Sequence, residues 1–264
     1  MGRDCSEPLL QCSKRPPRRQ SADMPSTLPL RTIAATRYVT PLREGGSLPA
    51  IVEGDDDGLY VLKFRGAGQG PKALVAELVC GEIARALGLA VPELVFMRLD
   101  AELARTEPDP EIQDLIRASA GLNVALDFLP GAVNYDPLAD CRLDPGRAAE
   151  IVWLDALVSN IDRSARNPNL LCWHGRVWLI DHGAAFIFHH AWDGTPARAR
   201  EPFLPVRDHV LLSAASSIAD RSQMPAVADL KALDFPAIER TTLKNGIETL
   251  LKHYVPEVTA VHAI

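Results

Sequence analysis

Residues 160–183, NIDRSARNPNLLCWHGRVWLIDHG, decide how the chain is read. Leu170-Leu171-Cys172-Trp173 and Arg176-Val177-Trp178-Leu179-Ile180 flank His174-Gly175, whose glycine supplies the positive φ of a two-residue hairpin turn. Pairing the two runs brings their outer ends together, so Asp162 and Asn167 on one side meet Asp181 on the other. Two carboxylates and a carboxamide at one open end offer hard oxygens to a metal and a carboxylate to spare as a base. Magnesium-dependent phosphoryl transfer needs that combination. The spacing Asp-x4-Asn also has a plainer reading, because both residues are common turn-formers and helix caps. The rest of the chain has to separate the two.

Immediately upstream, Asp144 and Pro145 open a helix whose apolar stripe of Ala148, Ile151, Leu154-Asp155 and Val158 delivers the chain to Asn160. Nearer the N-terminus, residues 32–39, 48–52 and 59–64 have the composition of strands, separated by turn signals at 45–47 and 54–58, and predict an antiparallel meander. Arg43-Glu44-Gly45-Gly46-Ser47, between the first two strands, is either a plain hairpin turn or a place where bare backbone amides approach phosphate oxygens. Lys63 lies inside Val61-Leu62-Lys63-Phe64, a run suited to burial, so it either faces water on a strand edge or finds an anion.

A helix over residues 72–87, closed by Gly88, follows. Glu77 shares its face with Leu74, Cys80, Gly81 and Ala84, where an unpaired carboxylate is costly, and Lys63 is the obvious partner. A strand over 94–99, a helix over 111–119 and a strand over 122–129 come next, the last running into Pro130-Gly131, where two lobes would connect. Beyond Gly183, helical patterns at 206–219, 226–233 and 236–253 make the distal half mostly α.

Bulk properties set the frame. At 264 residues, 47% hydrophobic and 23% charged, the chain has room for one large domain or two small lobes with a real core. A net charge of -6 argues against a general nucleic-acid binder. The absence of a membrane-length apolar run or a signal peptide leads us to expect a cytoplasmic protein without a membrane partner. Cys5, Cys12, Cys80, Cys141 and Cys172 lack metal-type spacing and read as free thiols. Residues 1–29, rich in arginine, serine and proline, read as a disordered extension.

The order of these features resembles the HipA-like kinase family, within the protein-kinase-like folds related to phosphatidylinositol kinases. The segments that carry the resemblance are GGSLPAIV, YVLKF, AELVCGEIARALGLAVPEL, NIDRSARNPNLL and WLIDHG. It implies an α+β bilobal fold with a β-rich N-lobe over 30–129 and a mainly helical C-lobe over 130–264. It further implies ATP and Mg2+ as cofactors and a serine or threonine of an unidentified protein as acceptor. Lys63 would bind the α- and β-phosphates and Glu77 would hold it; Asp162 would be the catalytic base, and Asn167 and Asp181 the metal ligands. Gly45, Gly46, Ser47, Lys63, Asp127 and Leu129 would contact the nucleotide. The chain departs from ordinary kinases where Asn160-Ile161-Asp162-Arg163 replaces His-Arg-Asp, where His182-Gly183 replaces Phe-Gly after Asp181, and in lacking a full Gly-x-Gly-x-x-Gly. Asn169 is the alternative to Asn167 if the register slips. A nucleotide-binding pseudokinase or interaction module is the rival from another class, and lipid or small-molecule phosphorylation and nucleotidyl transfer are rivals within the fold.

Overall fold

The computed structural model describes residues 30–42, 48–68, 70–137, 141, 143–187 and 203–215. The expected extension at 1–29, Gly45, Gly46 and Ser47, and the helices at 226–233 and 236–253 lie outside the described residues. The helix expected at 206–219 is, where described, a 3-10 turn at Leu204–Asp208 followed by hydrogen-bonded turns to Ala215.

Five strands form a closed barrel: β1 (Thr32–Pro41), β2 (Ala50–Gly54), β3 (Leu59–Lys63), β4 (Leu94–Leu99) and β5 (Gly121–Asp127), in the order β1-β2-β3-β5-β4. The meander holds for β1 to β3, but closure comes from a parallel pairing of β1 with β4, Thr32 opposite Phe96. Alternation along β2 and β3 turns Val52, Tyr60 and Leu62 inward, and they pack with Val95, Met97 and Ala125 as the barrel core.

Between β3 and β4 lies α1 (Pro71–Ala86), which starts with proline at its first position and closes at Gly88, φ 76°. Every residue from Leu74 to Gly81 is buried, because α1 is covered by the barrel on one side and by the second cluster on the other. A short helix α2 (Pro110–Ala118) precedes β5. The Gly-rich turn after β3 is tied down there: Arg65 N–H donates to Asn123 Oδ1 at 2.8 Å and Gly66 N–H to Ser119 Oγ at 3.0 Å.

After β5 the chain forms β6 (Val133–Asn134), the helix α3 (Pro145–Leu157), β7 (Leu170–Trp173) and β8 (Arg176–Leu179). The two-stranded hairpin of the sequence reading gains β6 as a third strand, Val133 opposite Cys172. Its turn has both His174 (φ 49°) and Gly175 (φ 71°) left-handed, the twist that suits two tightly paired strands. Leu170, Val177 and Leu179 face α1 and α3 in the larger buried cluster, and Leu179 N–H is pinned to Ala90 C=O at 2.8 Å.

Because Leu62 is fully buried and Leu59, on the same strand, is 39% exposed, the two should respond differently to truncation. Leu62→Ala is expected to cost about 2–5 kcal/mol in urea unfolding and Leu59→Ala less than about 1 kcal/mol. Equal losses would contradict the β3 register.

Candidate active site

Lys63 stands at the end of β3, its side chain 11% exposed, and takes the anion rather than the water. Its Nζ lies 2.7 Å from Asp181 Oδ1 and 3.8 Å from Glu77 Oε2. Burial alone would lower its pKa; the carboxylates of Glu77, Asp181 and, further off, Asp162 more than offset this and raise it. Glu77 sits on α1 with its side chain 1% exposed. Burial works against its charge as well, but Lys63 and then His182 bring its carboxyl down to about 2.

His182 fills the position after Asp181 and is completely buried, its Nδ1 3.6 Å from Glu77 Oε1. That separation exceeds a hydrogen bond, so the contact is electrostatic. Neither carboxylate oxygen of Glu77 has a hydrogen-bond partner among the described residues. Asp181 itself takes φ 54°, a left-handed conformation that aspartate tolerates better than most side chains.

The loop before β7 presents the other expected residues. α3 ends with Ser159 at φ 53°, Asn160 N–H bonded to Asp155 C=O at 2.8 Å and Ser159 N–H to Ala156 C=O at 3.3 Å, which turns the chain sharply into the loop. Asp162 N–H then donates to Asn160 Oδ1 at 3.1 Å. Asn167 is exposed and donates its amide to Asp162 Oδ1 at 3.0 Å, which leaves its own Oδ1 available. Asn169 is buried, with φ 48°, and donates to the Asp162 carbonyl at 2.6 Å, while its carbonyl accepts Ile180 N–H at 3.1 Å. Asn169 therefore clamps the loop to the end of β8, and Asn167 is the asparagine that faces outward beside Asp162.

Lys63, Glu77 and Asp181 meet directly, and Asp162 and Asn167 form a pair beside them. Asp127 stands apart. It lies opposite Tyr60, three positions along β3 from Lys63 and so roughly 10 Å away, beside Glu93, Arg31 and Asp56. Leu129 is buried just beyond β5. Gly45, Gly46 and Ser47 lie outside the described residues. Among the described residues no three His, Cys, Asp or Glu side chains cluster as metal ligands. No described helix is long and apolar enough to cross a membrane.

A buried polar group behind the loop went unread as a site in the sequence. Asp155 of α3, its side chain 1% exposed, accepts from Arg163 Nε at 2.6 Å and Asn160 Nδ2 at 2.8 Å, and pairs with His209 Nε2 at 2.8 Å. Burial pushes the Asp155 carboxyl up, but Arg163 and His209 hold it well below the usual carboxylate range. The signal available was the one that exposed Glu77: an acid on an apolar helical stripe.

A family model described as HipA-like kinase matches residues 36–193. A comparison with curated proteins returns no match. Among solved structures, the Helicobacter pylori proinflammatory kinase CtkA aligns at 14% identity over 84% of this chain and 94% of its own, with a TM-score of 0.42. A Golgi casein kinase aligns at 13% identity over 89% of this chain and 68% of its own, TM-score 0.42. A Golgi casein kinase with Mn/ADP bound gives 13%, 89%, 77% and 0.37.

The depressed pKa of Glu77 makes a signed prediction. Its contribution to stability is fully present above its ordinary 4.5 and is lost as pH falls towards about 2. Glu77→Gln is expected to lower stability at neutral pH, and the gap to the wild type to close over that acid window. Urea titrations of both proteins across the window check this; a gap that does not change with pH would refute it.

Proposed function

The chain belongs to the HipA-like kinase family, and from that premise we propose that it is an ATP- and magnesium-dependent phosphotransferase acting on a serine or threonine of a protein in the cytoplasm. The observation that carries the reading is the charge centre at Lys63, flanked by Glu77 at 3.8 Å and Asp181 at 2.7 Å. On this reading the barrel side, 30–129, is one lobe and the part from 130 onward the other, with the reacting groups between them.

The residues fit a magnesium ion. Asn167 Oδ1 and the Asp181 carboxylate are hard, accessible oxygens, and among the described residues too few charged ligands converge for an all-protein cage, so water and phosphate oxygens would complete the shell. When bound, the metal would neutralise charge on the transferring phosphoryl group.

The chain's own groups supply the rest. Lys63, itself largely buried and backed by Glu77, offers a fixed positive charge to phosphate oxygens, and that burial makes the charge act more strongly than it would in water. Asp162 has one carboxylate oxygen taken by Asn167 at 3.0 Å, and Oδ2 is the more open face, with only a long 3.4 Å approach from Asn169. That oxygen would accept the proton of the attacking hydroxyl as the new O–P bond forms and the bond to the leaving ADP breaks.

The test is transfer from labelled ATP. Label at the γ-phosphate, and not at α, should reach protein. Asp162→Asn should keep the ATP-dependent rise in Tm while transfer falls by about 10²–10⁴-fold, the usual contribution of a general base. Asp181→Asn should lose the magnesium-dependent rise itself. Small, equal effects of the two changes would overturn the assignment.

A further inference from the structure

Asp155, Arg163 and His209 take no direct part in the proposed transfer, yet together they form a buried ionic group behind the loop. Arg163 follows Asp162 directly. Its side chain turns inward, where Nε meets Asp155, one terminal nitrogen donates to the carbonyl of Asn169, and its own carbonyl accepts Val210 N–H at 3.0 Å. One guanidinium thus spans the loop, fixing residue 163 to residue 169 on either side of Asn167.

His209 reaches Asp155 from a different part of the chain. Leu211 N–H donates to its Nδ1 at 3.0 Å, so Nε2 carries the proton and donates to Asp155 Oδ2. Ser164 and His209 also form a β-bridge. The family match ends at residue 193, so this contact comes from beyond it.

We infer that Asp155, Arg163 and His209 are positioning residues that hold the loop carrying Asp162 and Asn167 in its working geometry, and that the segment 203–215 contributes to catalysis through His209. Three donors on one carboxylate, Asn160 and Arg163 from the loop itself and His209 from a distant segment, leave the loop little freedom to tilt. The catalytic consequence rests on the reading of Asp162 as the base; the structural consequence does not.

Two measurements on the full-length chain separate these. In His209→Ala, backbone hydrogen exchange over 160–169 should rise by about tenfold or more, the loss expected for one hydrogen bond to a buried charge, while β3 keeps its protection. Transfer from γ-labelled ATP should fall by about tenfold to a hundredfold in kcat, with KM for ATP within about twofold, as for small misplacements of a catalytic group. His209→Gln places an amide N–H near the Nε2 position and should restore most of both. Asp155→Asn, which also removes the charge opposite Arg163, should show the same pattern more strongly.

Unchanged exchange over 160–169 in His209→Ala would overturn the inference. So would loss of protection throughout the barrel, an effect confined to KM, or a glutamine no better than alanine. A wild-type protein that transfers no phosphate would remove the proposed function and with it the catalytic half of the inference. Exchange would still decide whether His209 holds the loop.

Discussion

A lysine at the end of an inward-packed strand has to be given negative charge or lose its own. Lys63 obtains it from two directions, Glu77 on α1 and Asp181 at the end of the β7-β8 hairpin. Glu77 is in turn awkward without the lysine, since neither of its carboxylate oxygens has a hydrogen-bond partner among the described residues. The barrel, α1 and the hairpin are therefore joined through one charge centre rather than through apolar packing alone. Losing Lys63 alone would leave the Glu77 carboxylate buried and uncompensated, which is more damaging than losing the two together.

Much of this was legible because ionisable residues stood out against apolar patterns. Lys63 within Val61-Leu62-Lys63-Phe64 and Glu77 on a face of small apolar residues each announced a need for a partner. The hairpin was equally plain, since His174-Gly175 between two apolar runs admits few other conformations, and both residues do take positive φ. Helix limits were marked by Gly88, Asp144 and Pro145, and the observed ends fall within a residue or two of those marks.

Other features had no local signature. Which strand closes the barrel depends on β5 inserting between β3 and β4, and no period in β1 encodes a parallel partner. Asn167 and Asn169 look alike in the sequence, and only burial and backbone conformation separate the outward-facing one from the clamp. Asp155 carried the same warning as Glu77, but its partners lie 5, 8 and 54 residues away, and His209 sits in a stretch whose helical periodicity pointed elsewhere. Pattern reading detects the unmet demand of a residue and is blind to a supplier that is distant in the chain.

The parallel closure of the barrel also has a consequence in time. β1 is the first of the described strands to be made, yet its second neighbour is β4, with Thr32 waiting for Phe96. At about 5–20 residues per second, the interval between completing Gly54 and completing Leu99 is roughly 2–9 s, during which one side of β1 has no strand beside it. The finished barrel offers no such edge. The vulnerability of this half to wrong pairing thus belongs to the nascent chain on the ribosome and disappears when the last strand closes the ring.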